Sequence, residues 1–135
     1  MSGSEFVSIR VLLVEDIKAT HELIAELLQF VGGFTVVGSC STESQAIQWL
    51  HDHEDGCDLV TLDLMLREGS GFSVLQVLQG LAGRRGPKVV VFSEFASPAV
   101  VRKCRSLGAE DAISKSDYRR LRVFLEKFRG ELATA

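Results

Sequence analysis

The sequence predicts an α/β protein in which five parallel strands alternate with five helices to build a doubly wound sheet. Two observations lead there. Short apolar runs recur along the chain, and the most apolar of them are almost unbroken, as suits strands covered on both faces. Between these runs lie longer segments whose apolar residues repeat at helical spacing. Regular alternation of this kind implies right-handed crossovers and a (βα)5 sheet, with strand order 2-1-3-4-5 expected.

The strands are read from the runs themselves. Ile9–Val14 (IRVLLV), Leu59–Leu62 and Lys88–Phe92 (KVVVF) are the strongest. Phe34–Val37 is weaker, and Ala109–Ser114 holds a fifth, short and poorly apolar. The first helix spans about residues 17–31, with Ile24, Leu27, Leu28 and Val31 on one face, and Gly32-Gly33 ends it. Thr42 and Gln45 have capping-box spacing ahead of Ala46, Ile47 and Leu50. Val74, Val77, Leu78 and Leu81 define a third helix ending near Gly83. Ser97-Pro98 is a cap followed by proline at the first helical position, and Val100, Val101, Cys104 and Leu107 follow, stopped by Gly108. Leu121, Phe124, Leu125 and Phe128 make the fifth, capped by Ser116 or Asp117. The expected organisation is a flexible N-terminus over 1–8, one domain over 9–130 and a short tail over 131–135.

Composition narrows the function classes. The chain has 135 residues, enough for one domain with a real core, and is 46% hydrophobic and 24% charged, as globular proteins are. No apolar run approaches the roughly 18 residues of a membrane helix, and the first ten residues lack the pattern of a signal peptide. A cytoplasmic protein with no membrane contact is expected. Cys40, Cys57 and Cys104 are odd in number and form no CxxC pair, which speaks against disulfides and zinc. Net charge is −3, made of −9 over residues 1–83 and +6 over 84–135. The total is too acidic for a general nucleic-acid binder, so no direct nucleic-acid binding is expected, while the basic end can be a docking face. His21, His51 and His53 lack zinc spacing and read as surface residues. Trp49 reads as helix packing, and no GxxxxGK[ST] or GxGxxG motif is present.

In open α/β sheets, ligands bind beyond the carboxyl ends of the strands. The residues there are Glu15 and Asp16 after strand one, Asp63 after strand three, Ser93 on strand four and Lys115 after strand five. Any one of these is more often structural: an Asp at a strand end commonly caps a helix, and a lone lysine is usually solvated. Together they place three carboxylates, a hydroxyl and a cation on one edge. Crowded carboxylates are costly without a cation, oxygen-only ligands suit Mg²⁺, and the lysine offers a point charge for a phosphate.

Over about residues 9–130 the sequence resembles response-regulator receiver domains of two-component signalling, the CheY-like superfamily with a flavodoxin-like fold. The matching stretches are VLLVED (11–16), LVTLDLMLREGSG (59–71), VVVFSEF (89–95) and GAEDAISKS (108–116). The resemblance implies that Asp63 is the phosphoacceptor. It implies Mg²⁺ held by Asp16 and Asp63 directly, by Glu15 through water and by the backbone carbonyl of Met65. Ser93 takes the switch hydroxyl position, Lys115 pairs with Asp63 and then with the phosphoryl group, and Gly71 matches the glycine ending the loop after the acceptor. The implied donor is a sensor histidine kinase or a phosphotransfer protein. The implied output is a shift of the face made by helix four, strand five and helix five. Such a domain catalyses only its own phosphorylation and dephosphorylation.

Three positions depart from the family pattern. Ala112 stands where most receivers carry Tyr or Phe, so an aromatic flip is impossible there. Ser116 replaces the proline after the lysine; a cis bond without proline costs about 3–4 kcal/mol, so either a trans or a strained cis bond is expected. Arg67 replaces a proline in the loop after the acceptor. Met65 and Phe95 hold positions that, by the resemblance, tune access of water to the phosphoryl group, and both are bulky. The basic residues Arg102, Lys103, Arg105, Arg119, Arg120, Arg122, Lys127 and Arg129 form either a solvated face or a dimer surface through helices four and five, pairing with Glu110 and Asp111 of a second copy. The competing functional reading is an interaction module independent of phosphorylation, favoured by Ala112 and Ser116 and opposed by Asp16, Asp63, Ser93 and Lys115. A flavodoxin-like cofactor protein would need a phosphate-cradling loop where Glu15-Asp16 stands.

Overall fold

In a computed structural model, the structure describes residues 8–81 and 86–134. The expectations of a flexible N-terminus over 1–7 and a helix stop at Gly83 lie outside the described residues. The element order is β1 (Ile9–Val14), α1 (Lys18–Val31), β2 (Phe34–Cys40), α2 (Glu43–Asp52), β3 (Leu59–Leu62), α3 (Gly71–Leu81), β4 (Lys88–Ser93), α4 (Pro98–Ser106), β5 (Asp111–Ser114) and α5 (Tyr118–Thr134). The strands pair in parallel in the order β2-β1-β3-β4-β5. α5 continues to Thr134, beyond residue 130 where the domain was expected to end.

Alternation along the strands divides the core into two layers. Leu12, Val14, Val60, Leu62, Val89, Val91 and Ala112 point to the side covered by α2, α3 and α4. Ile9, Val11, Leu13, Leu59, Val90, Phe92 and Ile113 point to the side covered by α1 and α5. The unbroken apolar runs are therefore two interleaved period-two faces, each buried. β2 is longer than expected because its polar end still pairs: Ser39 and Cys40 lie opposite Leu13 and Val14. The register shifts between Val11↔Val36 and Leu12↔Gly38, leaving Val37 as an extra residue. Gly38 lies under the Trp49 indole, 2.5 Å from where a Cβ would sit, so Trp49 packs on β2 as the helix reading expects.

The helix ends follow local chemistry. Gly32 adopts φ 82° and donates its N–H to Leu28 O at 2.9 Å, closing α1. Thr42 Oγ1 accepts from Gln45 N at 3.1 Å, while Gln45 Oε1 accepts from Ser41 N at 2.8 Å, one residue upstream of the usual capping-box partner. Ser97 Oγ accepts from Val100 N at 3.3 Å with Pro98 at the first helical position. Of the two cap candidates for α5, Asp117 serves, accepting from Arg120 N at 3.3 Å, while Ser116 Oγ bonds Ser114 Oγ at 2.8 Å. All three cysteines are buried and free, and burial pushes the Cys57 thiol up to about 12.

One polar group in the core is unsatisfied. Thr61 is 1% exposed, sits between Leu13 and Val90 in the sheet, and its Oγ1 has no hydrogen-bond partner. A buried hydroxyl without a partner carries an uncompensated desolvation cost. Thr61→Val is expected to raise stability by about 1 kcal/mol, read as a higher urea midpoint at unchanged slope; an equal or lower midpoint would show the hydroxyl to be satisfied.

Candidate functional site

The carboxyl ends of β1, β3, β4 and β5 meet at one edge of the sheet, and the polar residues predicted there do converge. A cleft of about 170 Å³ is lined by Asp16, Asp63, Ser93 and Lys115, with Ile17, Met65, Leu66, Glu94 and Phe95 completing its rim. Glu15 is not among the lining residues, and both it and Asp63 are 3% exposed.

Lys115 is the centre of the arrangement. Its Nζ donates to Asp63 Oδ2 at 2.9 Å and to Glu15 Oε2 at 3.2 Å, and lies 3.1 Å from Glu15 Oε1. β5 brings it there: Lys115 N donates to Ser93 O at 3.0 Å, extending the β4–β5 ladder beyond Ser114. Burial pulls the Lys115 ammonium down, but its bonds to Asp63 and Glu15 outweigh that, so its pKa is raised. Burial also pushes the Glu15 carboxyl up, to about 7, with the negative charge of Asp63 adding to it; the Ile17 N–H bond and Lys115 oppose the shift.

The three carboxylates crowd one another. Oxygens of Glu15, Asp16 and Asp63 lie within 4.8 Å of one another. Asp16 does not cap α1: the cap is Ile17, with no side-chain hydrogen bond. Asp16 Oδ1 is buried and has no hydrogen-bond partner. A buried carboxylate oxygen without a donor, next to two further carboxylates, fits a hard divalent cation. The structural alternative for Asp16, a helix cap, does not occur.

The loop after Asp63 is tightly built. Asp63 Oδ1 accepts from Met65 N at 3.3 Å. Gly71 N donates to Leu64 O at 2.9 Å, and Met65 bridges Ser70. A Cβ at Gly71 would stand 2.1 Å from Asp63 O and 2.7 Å from Leu64 Cα, so the glycine is required by close backbone approach. Ser93 is fully buried, and its Oγ accepts from Phe95 N at 3.2 Å, tying the hydroxyl to the β4–α4 loop. Met65 and Phe95 are 59% and 54% exposed and flank the cleft.

Two sequence expectations are corrected or resolved. Every peptide bond among the described residues is trans, Lys115–Ser116 included, as the absence of proline favours. Asp111, considered as a contact for a second copy, is engaged within its own chain. Its Oδ1 accepts from Arg105 Nη2 of α4 and its Oδ2 from Arg120 Nη2 of α5, both at 2.9 Å. Sequence reasoning did not single out Asp111 as an internal tie, nor Glu43, which reaches the loop after Asp63 from α2. No local pattern announces either, because each partner is remote in sequence or on another element. Among the histidines, His53 stacks on Trp49 with ring centroids 4.2 Å apart and His21 Nε2 bonds Ser39 Oγ at 2.8 Å. Neither belongs to a metal cluster among the described residues.

A parallel 2-1-3-4-5 sheet with an acid cluster and a lysine at its carboxyl edge defines the class of phosphorelay signalling domains. The chain belongs to the response regulator receiver domain family, whose family model matches residues 11–126. It is similar to the two-component response regulator ORR1 of Oryza sativa subsp. japonica, at 31% identity over 90% of this chain and 57% of the relative. It is also similar to the probable C4-dicarboxylate response regulator DctR of Priestia megaterium, at 28% identity over 88% of this chain and 51% of the relative. The chain thus spans about half the length of the curated relatives it matches. Among solved structures it resembles the response regulator domain of Thermotoga maritima CheB (TM-score 0.76, 19% identity, 95% of this chain and 98% of that one). It also resembles the phosphorylated cyanobacterial phytochrome response regulator RcpA (TM-score 0.74, 25% identity, 95% and 96%). Among the described residues, no helix is long and apolar enough to cross a membrane.

The raised Glu15 pKa gives a signed pH dependence. Native Glu15 holds its proton up to about pH 7, whereas the unfolded group releases it near 4.5. The native state therefore binds more protons in that window, and stability contributed by Glu15 is present below pH 4.5 and lost as pH rises through about 7. In chelator, urea unfolding is expected to show this decline, and Glu15→Gln to remove that part of the slope. An unchanged slope in the variant would assign the decline to another group.

Proposed function

We propose that this domain accepts a phosphoryl group on Asp63 from a phosphohistidine of a sensor histidine kinase or phosphotransfer protein, in a Mg²⁺-dependent reaction, and relays the change to the α4–β5–α5 face. The observation that carries this reading is the buried Lys115–Asp63–Glu15 contact beside an Asp16 oxygen with no partner. The relative RcpA, 25% identical, is described as phosphorylated.

In the proposed reaction an Asp63 carboxylate oxygen attacks phosphorus in line. The P–O bond forms as the P–N bond to the donor imidazole breaks; the bonding pair stays on the departing nitrogen, and the proton already on the other ring nitrogen makes the leaving group a neutral imidazole. Asp16, Asp63 and the Met65 carbonyl, with Glu15 through water, would hold Mg²⁺, which neutralises charge on the phosphoryl oxygens. Lys115, already 2.9 Å from Asp63 Oδ2, moves its contact to a phosphoryl oxygen and stabilises the charge that develops there. Ser93 donates its hydroxyl to the phosphoryl group, which draws the loop held by Phe95 N.

The relay does not use an aromatic rotamer at position 112, because the residue there is alanine. Asp111 instead ties Arg105 of α4 and Arg120 of α5 to β5. Displacement of Lys115 and Ser93 would then pass to that face through the β5 backbone. A docked partner, or a second copy through helices four and five, would read it.

A small phosphodonor with Mg²⁺ is expected to add one phosphoryl group by intact mass, and Asp63→Asn to abolish it. No adduct on folded protein with Mg²⁺ would favour a phosphorylation-independent binding module. Replacing both Met65 and Phe95 with small polar residues is expected to speed decay of the acyl phosphate by about tenfold, about 1.4 kcal/mol of barrier. An unchanged decay rate would remove them as a shield against water.

A further inference from the structure

The loop between Asp63 and α3 carries Arg67 and contains no proline to stiffen it. Yet it is held at three points by one residue of another element. Glu43, the first residue of α2, donates its N–H to Glu68 O at 2.9 Å. Its Oε1 accepts from Ser70 N at 2.9 Å. Its side chain also fills the space beside Gly69: a Cβ there would lie 2.3 Å from Glu43 Cβ, and Gly69 adopts φ +90°. Ser70 in turn bridges Met65, the residue whose carbonyl faces the proposed cation site by family resemblance.

A carboxylate in the first turn of a helix ordinarily serves its own helix. Glu43 sits in that first turn but does more: the side-chain cap of α2 is supplied by Thr42, which accepts from Gln45 N, while Glu43 Oε1 accepts from Ser70 N of the loop. We infer that Glu43 is a positioning residue that pins the acceptor loop to α2 and thereby fixes the Met65 carbonyl for the divalent cation. This rests on the reading of the site as a Mg²⁺-assisted phosphoacceptor. Groups that orient metal ligands from behind commonly change affinity by about 10–100-fold when removed.

Two measurements separate the pinning from the site reading. Amide exchange of Ser70, without any cation, is expected to quicken at least tenfold in Glu43→Ala and to stay near wild type in Glu43→Gln, which keeps the acceptor oxygen. Mg²⁺ titration by calorimetry or NMR is expected to show affinity about tenfold weaker in Glu43→Ala and restored within about twofold in Glu43→Gln. Thr42→Ala, which removes the α2 cap and not the loop contact, is the control for helix stability and is expected to bind Mg²⁺ as wild type does. Wild-type affinity in Glu43→Ala, failure of Glu43→Gln to restore it, or equal weakening in Thr42→Ala would overturn the positioning role. Absence of Mg²⁺ binding by the wild-type protein would overturn the site reading and the inference built on it, and the Ser70 exchange data would then report the pinning alone.

Discussion

The site depends on one electrostatic problem: two carboxylates, Glu15 and Asp63, are each 3% exposed at the same sheet edge, with Asp16 beside them. Like charges so placed destabilise one another and resist burial. Lys115 answers part of this by reaching both carboxylates from β5. What it leaves over appears as a Glu15 pKa raised to about 7 and an Asp16 oxygen with no donor. The first comes mainly from burial, with the charge of Asp63 adding to it; the second, a buried carboxylate oxygen beside two further carboxylates, suits a divalent cation.

The fold makes this crowding tolerable by fixing the backbone around it. β1, β3 and β4 are central strands buried on both faces, so their ends are held by two apolar layers. Gly71 has no Cβ, which would stand 2.1 Å from the Asp63 carbonyl oxygen, and the loop after Asp63 is further held by Glu43. On the other flank, Ser93 couples its hydroxyl to the β4–α4 loop and its carbonyl to Lys115 N. The Asp63 carboxylate is therefore bonded to Met65 N of the following loop and to Lys115, whose backbone N–H is bonded to Ser93 O.

On the side of α4, β5 and α5 the ties run through β5. Ala112 is buried and carries no ring, and the neighbouring Asp111 binds guanidinium groups from both flanking helices. These pairs are partly exposed and individually weak, but they share one acceptor residue and join three elements. Such a tie favours motion of α4, β5 and α5 together.

The order of strands and helices, the two-layer core and the cluster at the carboxyl edge were legible in the sequence, because each rests on local regularities: apolar period, caps such as Ser97-Pro98, and the position of charged residues just after apolar runs. Only the tertiary structure decided which polar groups are spent and which are free. Asp16 could have capped α1 and does not; Ser116 and Asp117 were equal candidates until Asp117 took the Arg120 N–H. Asp111 could have faced a second copy, and instead meets Arg105 and Arg120 of its own chain. Glu43 gave no sign of its contact with Ser70, because hydrogen bonds between residues 27 apart depend on how helices pack, which no local period encodes.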